Sequence, residues 1–124
     1  DGKEVPNMTM ESFYAAVGGS FEKTLSRLPS EAMIRRFVLK FPADPTYAQL
    51  EAALPGGDET AFRAAHTLKG VAQNLGFDRL YASAAALTED LRGPRAMTDP
   101  ALWEKVRQDY AQVCRAIEAL SAGA

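Results

Sequence analysis

The chain is poor in the residue types that build covalent or metal-based sites. It has one cysteine and one histidine among its 124 residues, which excludes an internal disulfide and a cysteine-based metal cluster. It also lacks an acidic cluster suited to magnesium and a glycine-rich nucleotide loop of the P-loop or dinucleotide type. We therefore expect no metal, no bound cofactor, no ATP binding and no self-phosphorylation.

Other absences concern membranes and nucleic acids. No apolar run reaches the roughly 18 residues that a transmembrane helix needs. The net charge of -2 gives no electrostatic reason to bind nucleic acid or an anionic membrane. Residues 1–9 are polar and contain Gly2 and Pro6, so we expect no signal peptide and a cytoplasmic location. Because the chain does not begin with Met, we expect a processed chain or a piece of a larger protein.

What the sequence does contain is a series of helical segments separated by proline and glycine. Three- and four-residue spacing of apolar side chains, with Ser, Asp and Asp-Pro caps, predicts the helix bounds. The expected helices are Met10–Val17, Phe21–Leu28, Glu31–Lys40, Pro45–Leu54, Glu59–Leu75, Phe77–Arg92 and Pro100–Leu120. The pattern predicts one all-α domain, an up-and-down four-helix bundle with additional short N-terminal helices, which needs no partner and is expected to be a monomer.

The helix Glu59–Leu75 places its histidine away from the core. Its apolar stripe is Ala61, Ala65, Leu68, Ala72 and Leu75. At 100° per residue, His66 lies roughly 140° from the middle of that stripe, so it is expected to face solvent or a partner. Gly70 lies one turn further on the same outer face, and Lys69 lies at its flank.

These neighbours suit phosphoryl chemistry. A glycine inside a helix costs about 1 kcal/mol relative to alanine, so Gly70 needs a reason, and removal of a side chain that would crowd the imidazole is one. Lys69 can offer a point charge to a phosphoryl oxygen. An exposed imidazole is largely unprotonated near neutral pH and can act as a nucleophile without a base. Phosphoryl transfer needs mainly positioning and charge compensation, so this sparse set is sufficient.

Residues 64–76 read AAHTLKGVAQNLG. This stretch resembles the signature of histidine-containing phosphotransfer (HPt) domains, in which a histidine is followed by Lys-Gly and, further on, by an aliphatic residue and Gly. The resemblance extends roughly from Met8 to Ser121. It implies an HPt domain over residues 9–122, with residues 1–8 as a linker or a cloning remnant.

The resemblance implies a two-component phosphorelay. His66 would accept a phosphoryl group from a receiver-domain aspartate and pass it to another response regulator, with Lys69 as the phosphate-stabilising cation and Gly70 as the access position. The protein would be a phosphocarrier and not an enzyme, and Mg²⁺ would come from the receiver. Receiver domains are the implied partners, and a hybrid sensor histidine kinase is a further one.

Three surrounding residues each have two interpretations that the sequence leaves open. Many HPt domains hold the imidazole with a Glu or Gln from the neighbouring helix, and the matching position is Thr88, which is expected to accept that bond or to leave the ring less firmly oriented. Phe62 is either the rim of the core or a docking contact. Gln73 is either a partner contact or a solvated side chain.

Two other functions remain open from the sequence. A helical module could bind receivers or act as a scaffold without phosphotransfer. A metal or hydrolytic site would need His66 to work with Cys114 or with carboxylates, but Cys114 lies beside Val113 and Ile117 and is expected to pack in or near the core.

Overall fold

The structure is a computed structural model that describes residues 8–123. This part of the chain forms seven α-helices and two single 3₁₀ turns and contains no strand, which confirms the predicted all-α fold. The helices are α1 (Met10–Ala16), α2 (Phe21–Arg27), α3 (Glu31–Lys40), α4 (Thr46–Ala53), α5 (Glu59–Leu75), α6 (Asp78–Asp90) and α7 (Pro100–Ala122); the turns are Phe41–Ala43 and Leu54–Gly56.

Helices α4 to α7 make up the bundle. Short connections turn each helix back on the previous one, so α5 packs between α4 and α6, and α6 packs against α7. Helix α7 is thus diagonally across the bundle from α5. The apolar stripe of α6 and its two flanking residues is fully shielded from solvent, and its members are Phe77, Leu80, Ala84, Leu87 and Leu91.

The three N-terminal helices pack over the end of the bundle where α5 turns into α6. Phe13 of α1 contacts Phe77 with ring centroids 5.9 Å apart, and Phe41, just after α3, contacts the same ring at 5.1 Å. The Tyr14 hydroxyl donates a hydrogen bond of 2.6 Å to the carbonyl of Leu75. Aromatic rings from α1 and from the turn after α3 therefore seal this end of the core.

The predicted helix bounds agree with the structure to within two residues. Helices α3 and α5 have the predicted bounds, and Ser30 and Asp58 cap them as expected. Helix α4 begins one residue later than predicted, with the Asp44 carboxylate accepting from the backbone N–H of Thr46 at 2.8 Å. Helix α6 is shorter at both ends, and α7 extends to Ala122. None of the helices in residues 8–123 combines the length and the apolar character needed to cross a membrane.

Candidate functional site

Helix α5 is a rigid support because both of its ends are closed locally. The Asp58 carboxylate accepts from the backbone N–H of Thr60 at 2.9 Å, and Gly76 ends the helix at a φ of 78°. Between these caps the predicted apolar stripe is buried, and His66 is exposed on the opposite side. The expected outward orientation of His66 is therefore observed.

Gly70 leaves the surface beside His66 open. A Cβ atom built at this position would have no other atom within 4 Å, so Gly70 does not serve close packing between helices. The structure also corrects one detail of the sequence interpretation. A methyl group here would not touch the imidazole itself, so the space that Gly70 leaves is available to an approaching molecule.

Lys69 lies on the flank of α5 that faces α6. Its side chain is half-buried and forms no ion pair within residues 8–123. The positive charge of Lys69 helps to lower the pKa of Glu89, although the main cause is the hydrogen bond that Glu89 accepts from Arg92. Glu89 is thus close enough to sense both cations, and the flank of the site carries two positive charges and one negative charge.

Phe62 stands beside His66 and is itself braced. The two rings are 6.3 Å apart between centroids, with planes inclined by 20°, which is within the range of interacting aromatic pairs. The guanidinium carbon of Arg92 lies 5.2 Å from the centre of the Phe62 ring, a cation–π distance. Phe62 is half-buried, so the structure leaves both a packing role and a contact role available to it.

Thr88 does not make the bond expected of it. Its side chain has no exposed surface, and its hydroxyl donates to the carbonyl of Ala84 in its own helix at 2.7 Å. No hydrogen bond joins any group of residues 8–123 to the imidazole ring of His66. Thr88 is at the right height along α6 but points into the core, so this side chain does not hold the imidazole.

Glu89 and Arg92 are two residues of this site that the sequence interpretation missed. They form a forked ion pair, with Arg92 Nε 3.0 Å from Glu89 Oε1 and Nη2 2.7 Å from Oε2. Their position near Phe62 could have been predicted from the sequence, because α5 and α6 form a helical hairpin. Residues at equal distances from the Gly76–Phe77 turn lie at the same height, because both helices rise about 1.5 Å per residue. By this count Phe62 is level with Leu91, so Arg92 lies near it.

The remaining candidates are not brought together with His66. Gln73 is exposed, two turns along α5, and Cys114 lies on α7 across the bundle, where partial burial raises the pKa of its thiol. Within residues 8–123 no three His, Cys, Asp or Glu side chains are grouped so that they could hold a metal ion. The geometry therefore gives no support to a site shared by His66 and Cys114.

Comparison with known proteins decides the family. A sequence model of the Hpt domain matches residues 42–123, which is more than half of the chain and includes all of α4 to α7. The chain belongs to the Hpt domain family. No curated protein and no solved structure gives a significant match. Helices α1 to α3 precede the matched stretch and pack against it.

Membership of the family gives the general function. Hpt domains are phosphocarriers of two-component phosphorelays; they interact with receiver domains and kinases and have no catalytic activity of their own. The predicted family, phosphohistidine chemistry and four-helix architecture are confirmed at this level.

Proposed function

We propose that His66 accepts a phosphoryl group from the aspartyl phosphate of one receiver domain and passes it to the aspartate of another response regulator. The position of His66 carries the proposal. It is the only histidine of the chain and lies within the stretch that matches the Hpt family. Its ring is exposed on α5, one turn from the open surface at Gly70.

The chemistry needs little from the carrier. The unprotonated imidazole nitrogen attacks the phosphorus atom, an N–P bond forms, and the P–O bond to the aspartate breaks so that the carboxylate leaves. The proton on the other ring nitrogen stays in place. Transfer to the second receiver reverses these changes and regenerates the free histidine, as a carrier requires.

Lys69 supplies charge compensation in this proposal. The three phosphoryl oxygens carry negative charge throughout the transfer, and a nearby ammonium group stabilises them. Lys69 has no ion-pair partner within the described residues and lies on the same stretch of α5. We place the Mg²⁺ of the reaction on the receiver, since the described part of this chain has no cluster of three His, Cys, Asp or Glu side chains that could hold it.

Docking must be brief, because a carrier has to release both partners. We assign Phe62 and Gln73 to the contact around His66, since Phe62 is only half-buried and Gln73 is exposed on the outer face. Phe62 keeps a defined position through Arg92 and offers a partly exposed aromatic ring to a partner.

The test is transfer of labelled phosphate from a panel of phosphorylated receiver domains to the parent protein and to His66→Gln. The parent protein is expected to gain an acid-labile, base-stable phosphate, and the variant is expected to gain none, because glutamine has no nucleophilic ring nitrogen. Arg115→Gln, on the exposed surface of α7 across the bundle, is the matched control and should accept label normally.

Two outcomes contradict the proposal. Label that enters His66→Gln as readily as the parent protein places the acceptor elsewhere. Receivers that bind the parent protein without transferring label identify a binding module and not a phosphocarrier.

A further inference from the structure

A small groove lies between α3 and α5. Its floor is apolar, formed by Phe37, Phe41, Val71 and Leu75, and Lys40, Asp44 and Asn74 border it; we call it the Phe37 groove. Its volume of about 260 Å³ is below the roughly 300–1,000 Å³ typical of small-molecule sites. An apolar floor with a polar rim is instead the composition of the pocket in a protein interface that receives one anchoring side chain.

Phe37 is unusual among the apolar side chains of the chain. Only three large apolar residues in the described part are at least 36% exposed, and all three precede the stretch that matches the Hpt family: Leu25 at 39%, Phe37 at 38% and Leu39 at 36%. Phe37 lines a groove together with residues of α5, whereas Leu39 lines a different groove. It is therefore an exposed aromatic ring placed against the helix that carries His66.

The groove is continuous with the surface around His66. His66, Gly70 and Asn74 are spaced four residues apart on α5, and Asn74 borders the groove. Eight residues of helix separate His66 from Asn74, a rise of about 12 Å. The open space at Gly70 lies between them.

A partner protein of ordinary interface size that covers His66 also reaches the Phe37 groove. A standard interface buries about 800 Å² on each partner, which corresponds to a patch about 30 Å across. A partner centred on His66 therefore extends about 15 Å in each direction. Towards α6 it meets the charged flank of Lys69, Glu89 and Arg92, and towards the C-terminal end of α5 it meets the apolar Phe37 groove.

We propose that the Phe37 groove is the second contact of the receiver domain, and that it binds an apolar side chain which the receiver presents beside its phosphorylated aspartate. This inference rests on the proposed function of His66. Phe37 then selects receivers: one with an aliphatic or aromatic side chain at that place binds well, and one with a charged side chain binds poorly because it would leave that charge in an apolar groove.

The experiment uses the receiver domain that transfers label fastest to the parent protein in the panel described above. Transfer is measured against receiver concentration, and binding of the same unphosphorylated receiver is measured by titration. Phe37→Ala is expected to raise both the KM and the Kd about tenfold, the loss of one interface anchor, and to leave the maximal rate unchanged. Phe37→Leu keeps an apolar side chain and should retain most of the affinity.

Leu39→Ala is the matched control. Leu39 is equally exposed and lies two residues further along α3, but it lines a different groove with Pro42 and Cys114. Its removal should change neither constant. Circular dichroism of the three variants checks that each one keeps the helical fold.

The outcomes separate this inference from the proposed function. If the parent protein accepts label and Phe37→Ala has the KM and Kd of Leu39→Ala, the groove assignment is wrong while the role of His66 stands. If Phe37→Ala changes only the self-association of the chain, measured by sedimentation, the occupant is a second copy and the assignment is again wrong. If no receiver labels the parent protein, the proposed function fails and the inference fails with it.

Discussion

Two glycines, one inside helix α5 and one at its C-cap, have opposite surroundings. Gly76 is buried at the end of the helix, with a φ of 78°, and a Cβ atom there would overlap the Thr24 hydroxyl and approach the Tyr14 ring. Gly70 lies in the middle of the helix on the outer face, and a Cβ atom there would meet nothing within 4 Å. The first glycine is required by the fold, whereas the fold makes no use of the second.

The same contrast separates the regions around them. Near Gly76, aromatic rings of α1 and of the turn after α3 close the core, and the Tyr14 hydroxyl satisfies the last carbonyl of α5. Near Gly70, the imidazole of His66 has no hydrogen bond within the described residues and is exposed. Gly70 destabilises the helix and makes no packing contact in exchange, so packing cannot explain its presence. Such a residue indicates function better than a buried glycine does.

Gly76→Ala should give the largest effect on stability. A left-handed φ costs a non-glycine residue about 1–2 kcal/mol, and overlap with Thr24 adds a comparable amount, so we expect a loss of about 3 kcal/mol in the free energy of unfolding. Urea denaturation measures it. The same substitution at Gly70 is the control. Equal losses at the two positions would show that the contrast between the two glycines is wrong.

Tyr14→Phe tests the packed end of the core near Gly76, and it does so without adding atoms. Its hydroxyl is buried and donates to the Leu75 carbonyl, so removal leaves a buried acceptor unpaired, at a cost of about 1–2 kcal/mol at neutral pH. Urea denaturation at pH 8 measures this loss. Tyr14→Phe stability equal to that of the parent protein would show that the bond contributes nothing.

The pH dependence of the same pair gives a second test. Burial raises the pKa of Tyr14 from 10.0 to about 12. Well below pH 10 the phenol is neutral in both states, and the full stability is present. As the pH rises towards 12 the unfolded chain ionises first, so stability is lost in the parent protein and not in Tyr14→Phe. The difference between them should shrink by about 1.4 kcal/mol at pH 11, and a constant difference contradicts the assignment.

The sequence was sufficient to predict a helix boundary where the residues that cause it are close in the chain. Ser30, Asp58 and Gly76 are caps whose chemistry acts within a few residues, so the bounds of α3 and α5 could be predicted. The last residue of α6, Asp90, has a partner that is distant in the sequence. The Asp90 carboxylate accepts hydrogen bonds from the Thr98 hydroxyl and from the Thr98 backbone at 2.7 Å, which also lowers the pKa of Asp90. No residue within one turn of Asp90 allows this contact to be predicted from the sequence.

The candidate site divides in the same way. Helical periodicity within α5 was enough to predict that His66 is exposed and that Gly70 and Lys69 are its neighbours. The contributions of α6 depend on how that helix is rotated about its own axis. Because of this rotation Thr88 points into the core, while Glu89 lies near the site, as does Arg92 just after the helix. Residue spacing gives the height along a neighbouring helix but not the face that it presents.

At Gly70, the change from glycine to alanine is expected to have the opposite effect on stability to the same change at Gly76. Gly70→Ala should stabilise the fold, by about 0.5–1 kcal/mol, because alanine is the better helix former and its methyl group meets no other atom. Such a gain distinguishes Gly70 from Gly76 by the sign of the change and not only by its size. Urea denaturation beside the parent protein measures it.

Phosphotransfer should respond to Gly70→Ala in the other direction. The methyl group occupies space that the receiver needs for close approach to His66, and small displacements of reacting groups are costly, so we expect transfer to slow by about tenfold. If Gly70→Ala makes the protein more stable and slows phosphotransfer, the role of Gly70 is to admit the partner and not to support the fold. If Gly70→Ala is more stable and transfers label as fast as the parent protein, the bare backbone at this position has no role in access, and the contrast with Gly76 is one of packing alone.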